Sequence, residues 1–206
     1  MRANGVALSV GAAMAGAALL LCGLALGEPR PDKFAIPGTD FQIPLGPSAA
    51  SSAPPSPALV DAIGKWIAAT IDLRPVSERP AFRFAPRAML ADLRYGRILA
   101  GAKAGAMTGY DPTRPAPDIV AFYDRSTKTI YLADDWSGNP VHLSVLVHEM
   151  VHHFQNVAGL RYPCPEAREH LAYLAQNKWL ALFGSGLEAA FGLDRLTMLV
   201  KTNCIN

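Results

Sequence analysis

Charge, sulfur and histidine are all scarce in this chain of 206 residues. Charged side chains make up 17% of it, 19 lysines and arginines against 17 acids, for a net charge of +2. No basic stripe is interleaved with aromatics, and the few arginine clusters read as solvated surface, so the composition argues against a nucleic-acid partner. The three cysteines, Cys22, Cys164 and Cys204, include no C-x-x-C pair, which excludes the usual sulfur-ligated zinc site and a dithiol redox centre. There is no internal repeat, so the chain is not an array of small units.

Long apolar runs are also few, and the main one lies at the start. Half the residues are hydrophobic, and much of the excess sits in Val6 to Gly27, about 22 residues without a charge, preceded by Arg2. Ala25 and Gly27 put small residues at the −3 and −1 positions of a secretory cleavage site before Glu28. A cleaved signal peptide over 1–27 is the first reading, and an uncleaved membrane anchor the second, because the run is long enough to span a bilayer. Both place the remainder outside the cytoplasm, in a periplasm or beyond the cell. Cys22 suggests a lipoprotein, but Leu21 stands where acylation wants a small residue. Without residues 1–27 the chain keeps 18 basic and 17 acidic residues and two cysteines, Cys164 and Cys204, an even count that suggests one disulfide in an oxidising compartment.

Residues 28–56, rich in proline, serine and alanine, read as a linker, and 57–206 as one folded domain. Ser56 and Pro57 open a helix predicted to run to about 72. A short strand over 81–85 and a helix over 87–95 follow, then an irregular stretch over 101–117. The β-rich runs 119–123 and 129–132 read as a hairpin. A helix over 141–157 ends at Gly159, another opens at Cys164 and Pro165 and runs to about 183, and a last one covers 187–200. The class is therefore α+β.

What the chain does have is H-E-M-V-H at 148–152 within Val145 to Gln155. Residues four apart lie on one face of a helix, so the imidazoles of His148 and His152 can share one metal ion. Zinc suits them: it takes nitrogen donors and, in catalytic sites, three protein ligands with a fourth position open to water. Glu149, about 100° round the helix from His148, falls beside that water as a general base. Chance would place this pattern in roughly one chain in 300 of such composition. The flanking Leu146, Val147, Met150, Val151 and Phe154 form the apolar stripe that buries such a helix.

The H-E-x-x-H helix after a β-hairpin, with an acidic helix following, resembles the gluzincin branch of the zincin metallopeptidases, and more narrowly the small bacterial minimal gluzincins, over residues 57 to 183. The metzincin branch does not fit, because Gln155 and Ala158 stand where its glycine and third histidine would be. The resemblance implies a small zincin-like fold, a peptide or protein substrate, and a third ligand downstream. Glu166, Glu169 and His170 share one helix face there. Glu166 is already explained as a first-turn acid, and His170 would depart from the gluzincin pattern, which favours Glu169. The resemblance also makes Tyr173 or Tyr162 a candidate oxyanion donor, Tyr173 being preferred as a catalytic residue, and makes 129–132 the edge strand along which a peptide lies.

His153 points to another side of the helix from His152 and reads as a supporting or surface histidine rather than a catalytic one. His142 at the helix start reads as structural, and Asp134 and Asp135 as turn residues. The expected activity is zinc-dependent peptide-bond hydrolysis outside the cytoplasm. The alternatives are a non-catalytic binding or envelope-interaction module on the same scaffold and metal-dependent hydrolysis of a cell-wall amide. Glu149 favours catalysis, since a binding module has no use for a carboxylate beside an open metal position.

Overall fold

A computed structural model describes residues 32–45, 53–101 and 119–204, with side chains left out of the description over 95–101. The apolar run 6–27 and most of the irregular stretch 101–117 lie outside these residues. No described helix is long and apolar enough to cross a membrane.

The chain is α+β, with six helices and two small sheets among the described residues. Strands β1 (Lys33–Ala35) and β2 (Gln42–Pro44) form an antiparallel hairpin. Helix α1 (Pro57–Ile71) is capped by Ser56, whose Oγ accepts from Leu59 N–H at 3.2 Å, and begins on a proline whose missing N–H costs nothing there. Strand β3 (Ala81–Ala85), helix α2 (Arg87–Gly101), and strands β4 (Ala121–Asp124) and β5 (Thr129–Ala133) follow. Helices α3 (Pro140–Val157) and α4 (Pro165–Ala181) carry most of the buried polar residues, and α5 (Leu187–Phe191) and α6 (Arg195–Thr202) close the fold.

The three-stranded sheet runs β3-β5-β4, with β5 parallel to β3 and antiparallel to β4. Side chains alternate between its faces with period two. Phe82, Phe84, Ala121, Tyr123, Ile130 and Leu132 face the main core of α1, α3 and α4, while Ala85, Phe122, Tyr131 and Ala133 face α2 through Leu90 and Ala91. The strand expected at the edge, 129–132, is thus the middle one. Its hairpin partner β4 takes the edge beside α3 because β3 adds to the far side of β5, a choice the hairpin's own residues do not record.

Two further expectations change. The linker predicted over 28–56 holds the β1–β2 hairpin. Ile36 and Ile43 are 1% and 3% exposed in the main core, and the Phe34 ring lies 4.5 Å from that of Phe183. The helix predicted over 187–200 is two helices, since Gly192 at φ +64° ends α5 in a left-handed turn and Asp194 caps α6 through Thr197 N–H at 2.7 Å. Helix α2 also extends to Gly101, beyond the predicted end at 95.

Cys164 and Cys204 form the expected disulfide, joining the N-cap of α4 to the chain just after α6. At a separation of 40 residues, the chain-entropy estimate gives a stabilisation of roughly 4 kcal/mol. Cys204→Ser is expected to lower unfolding stability by about 2–4 kcal/mol in denaturant titrations. A variant as stable as the parent would show the crosslink to be energetically idle.

The hairpin supplies a second check. Ile36→Ala removes a buried side chain from the main core and should cost about 2–4 kcal/mol, whereas the same change in a true linker would leave the melting temperature where it was.

Candidate metal centre

The centre grows from α3. Asn139 caps it by accepting from His142 N–H at 2.8 Å, and Pro140 fills its first position. Gly159 lies just past its end at φ +65°. His148, Glu149 and His152 are all nearly buried, at 5%, 4% and 5% exposure. Helix α4 packs against α3 and brings Glu169, from its second turn, to the two imidazoles.

Three donor atoms meet there in a nearly equilateral triangle. His148 Nε2 lies 3.1 Å from Glu169 Oε2, His152 Nε2 lies 3.2 Å from the same oxygen, and the two nitrogens are 3.2 Å apart. An ion bonded tetrahedrally at about 2.0–2.1 Å would hold its ligand atoms about 3.3 Å apart. His148, His152 and Glu169 are the group of side chains among the described residues able to hold a metal ion.

The imidazoles are oriented by two glutamines. His148 Nδ1 lies 3.0 Å from Gln176 Oε1, and His152 Nδ1 lies 2.9 Å from Gln155 Oε1. Each amide is itself anchored: Gln155 Nε2 donates to Arg168 O at 2.9 Å, and Gln176 Nε2 to Ser144 Oγ at 3.4 Å, whose hydroxyl donates to Val141 O. With their NH₂ groups so engaged, both glutamines present oxygen to the histidines. The Nδ1 protons are thereby fixed as donors and both Nε2 atoms carry lone pairs. Two lone pairs and a carboxylate oxygen 3.2 Å apart repel one another unless a cation lies between them, and this donor set could hold a metal ion. Burial raises the Glu169 carboxyl, but the neighbouring His152 and His148 outweigh burial and hold it below the usual carboxylate range.

Glu149 lines the same cavity of about 290 Å³ as the three donors. Its Oε2 accepts from the backbone N–H of Tyr123 on β4 at 2.9 Å. Burial, the largest influence, pushes its carboxyl up, against the pull of His148 and Arg94.

The other candidates fall elsewhere. Glu166 stays in the first turn of α4, and His170 is exposed on the side that borders α6. Tyr173 stacks edge-on against His148, ring centroids 4.6 Å apart, and burial raises its phenol while the Arg94 guanidinium opposes the rise. It backs the ligand and does not line the 290 Å³ cavity. Tyr162 lines an adjoining cavity of about 630 Å³. His153 is fully buried, with Nε2 donating to Glu78 O at 2.7 Å and Nδ1 accepting from Tyr123 Oη at 3.1 Å, so it fastens α3 to the sheet and to the 72–80 segment. His142 accepts from Ser137 N–H, and Asp135 pairs with Arg87 at 2.8 Å.

A family model, the domain of unknown function DUF6647, matches residues 52–206. The chain belongs to the DUF6647 family. No curated protein and no solved structure matches it. The matched range contains α1 to α6, the three-stranded sheet and the whole His-His-Glu group, and it leaves out the β1–β2 hairpin.

Sequence reasoning missed Gln155 and Gln176, and with them Arg94, Arg125 and Arg168, which line the cavity of the three donors. The one available signal was Gln155, three residues after His152 on the same helix. The others reach the site from separate elements.

Gln176→Leu keeps the bulk of the side chain and removes the acceptor for His148, so divalent-metal affinity should fall about 10–100-fold in a chelator competition. In the same titration Glu169→Ala should cost at least as much, and Glu166→Ala nothing. Loss of affinity on changing Glu166 would reassign the third ligand.

Proposed function

We propose that this DUF6647 protein is a zinc-dependent hydrolase of peptide bonds that works outside the cytoplasm. The observation that carries the proposal is the 3.1–3.2 Å triangle of His148 Nε2, His152 Nε2 and Glu169 Oε2 in one cavity with the Glu149 carboxyl. Two imidazoles and one carboxylate, with space left for a further ligand, form a donor set that catalytic zinc accepts. When bound, zinc would supply Lewis acidity, polarising a carbonyl oxygen and acidifying a water.

The remaining work belongs to the chain. Glu149, held by Tyr123 N–H, is positioned to take a proton from the attacking water and return it to the departing amine. Burial pushes its carboxyl up. Arg94, beside Glu149 and Tyr173, offers positive charge where the carbonyl oxygen becomes negative. The gluzincin-like reading draws support from β4 as an antiparallel edge strand ahead of α3 and from a carboxylate ligand on the next helix. Export is supported by the Cys164–Cys204 disulfide together with the apolar run 6–27.

The decisive experiment is elemental analysis of the purified protein followed by a proteome-wide cleavage assay with a matched Glu149→Gln control. About one zinc per chain is expected in both proteins. Cleavage should fall by three or more orders of magnitude in the variant, because an amide cannot accept the water's proton. Full activity in Glu149→Gln would remove the mechanism. Zinc bound normally with no cleavage of any peptide in either protein would leave a binding module as the better reading.

A further inference from the structure

The carboxylate ligand sits where its helix is least secured by the core. Glu169 lies five positions after Cys164, the N-cap of α4, and among the described residues of α4 the first to be buried is Ala172. The turns that carry Glu169 are held at the side by Gln155, whose Nε2 donates to Arg168 O at 2.9 Å, and at the start by the Cys164–Cys204 disulfide. The helix at the other end of that bond is no better anchored. Of the described residues of α6, Thr202 is buried, while Leu196, Leu199 and Val200 are 69%, 58% and 50% exposed. The disulfide therefore fastens together two segments that burial alone holds weakly.

Both segments bear on the metal ligands. Helix α4 carries Glu169, whose Oε2 lies 3.1 Å and 3.2 Å from the two imidazole nitrogens. Helix α6 packs along α4 and places Met198 against the cluster of Tyr173, Leu180 and Leu187, and the Tyr173 ring centroid is 4.6 Å from that of His148. The bond between the segments is also open to exchange. Cys204 is exposed and Cys164 half-buried, so an incoming thiolate meets the Cys204 sulfur first. Cys164 Sγ is then the leaving atom, and it already accepts from Ala167 N–H at 3.4 Å.

Resting on the zinc-hydrolase reading above, we propose that the Cys164–Cys204 disulfide is a redox gate on the metal centre: oxidation sets the site to hold metal and reduction releases it. The co-reactant is a thiol reductant. Its thiolate attacks Cys204 Sγ, the S–S bond breaks, and Cys164 leaves with the electron pair and takes up a proton. A second thiol of the reductant then displaces Cys204, so that two protein thiols form and the reductant becomes a disulfide. Oxidation is the same exchange reversed. Untied, the first turns of α4 sample positions in which Glu169 is away from the imidazoles, and metal affinity falls in proportion to the fraction of molecules with the ligand in place. The site is thus weak where thiols are kept reduced and tight where disulfides persist.

The test measures zinc affinity by chelator competition in the purified oxidised protein, in a Cys164→Ser, Cys204→Ser double variant and in Ile36→Ala. The double change removes the crosslink without leaving a thiol to take zinc, and serine caps a helix at least as well as cysteine. Ile36→Ala weakens the main core and leaves the crosslink in place. Affinity should fall about tenfold or more in the double variant and stay unchanged in Ile36→Ala. In the metal-free double variant, amide exchange should speed up over 165–171 and 195–202 while α1 stays protected. Linkage makes zinc favour the oxidised protein by the same factor. In a glutathione buffer at fixed free zinc, the midpoint of the native disulfide should therefore drop by about 30 mV for each tenfold.

Equal zinc affinity with and without the crosslink, or a midpoint that zinc does not move, would overturn the gate and leave the metal centre standing. So would an equal loss in Ile36→Ala, or loss of protection in α1, since the crosslink would then support the whole fold and not the ligand segment. Should the double variant fail to fold, the zinc dependence of the native midpoint decides. An oxidised protein that binds no zinc would remove the metal centre and the gate together, whereas a working gate in a protein that cleaves no peptide sinks the hydrolase alone.

Discussion

Much of this structure depends on forcing three lone pairs to face one another at about 3.2 Å in a nearly dry place. Such an arrangement is unfavourable by itself, so every neighbouring element is engaged in holding it. The i, i+4 spacing on α3 aligns the imidazoles. Gln155 on the same helix and Gln176 on α4 fix which nitrogen carries the proton, and Ser144 and the Arg168 carbonyl fix the glutamines in turn. Removing any one of these hydrogen bonds frees a ring to rotate or a tautomer to switch, and the triangle loosens.

The rest of the fold serves the α3–α4 contact. Trp179 on α4 meets Trp66 on α1 edge to face at 5.2 Å, and Ile63 and Ile67 complete the layer beneath α3. The Tyr123–His153–Glu78 chain ties the other side of α3 to β4 and to the segment after α1. At the entry of α4, where a helix frays most readily, the disulfide secures the N-cap only five positions before the carboxylate ligand.

The motif helix was legible because its information is local. Spacing, apolar stripe and the closing Gly159 all lie within twenty residues, and H-E-x-x-H states its own geometry. The carboxylate on α4 was legible by position in the helix. Local turn chemistry also gave the β4–β5 hairpin and the boundaries of α1. What escaped notice needed partners distant in the chain. The β1–β2 hairpin buries Ile36 and Ile43 in the core and packs Phe34 and Phe41 at its margin, apolar residues too scattered to stand out in a proline-rich stretch. Which strand forms the edge depends on β3, which joins from before α2. Gln176 and the cleft arginines read as solvated helix and turn residues until α2, α4 and the β4–β5 turn are brought together.

The hydrogen bond from Tyr123 N–H to Glu149 joins the edge strand to the motif helix. The Val120 carbonyl accepts from Ala133 N–H, so on β4 residues 120, 122 and 124 pair with β5, and the backbone groups of Ala121 and Tyr123 face outward. The outward Tyr123 N–H is held by Glu149. On the hydrolase reading proposed above, a peptide laid along β4 would find one rung of the ladder already taken by the Glu149 carboxylate, and its register would be limited to the rungs on either side. The strand that would align a substrate and the carboxylate that would act on it share a single tether, so a shift of one carries the other with it.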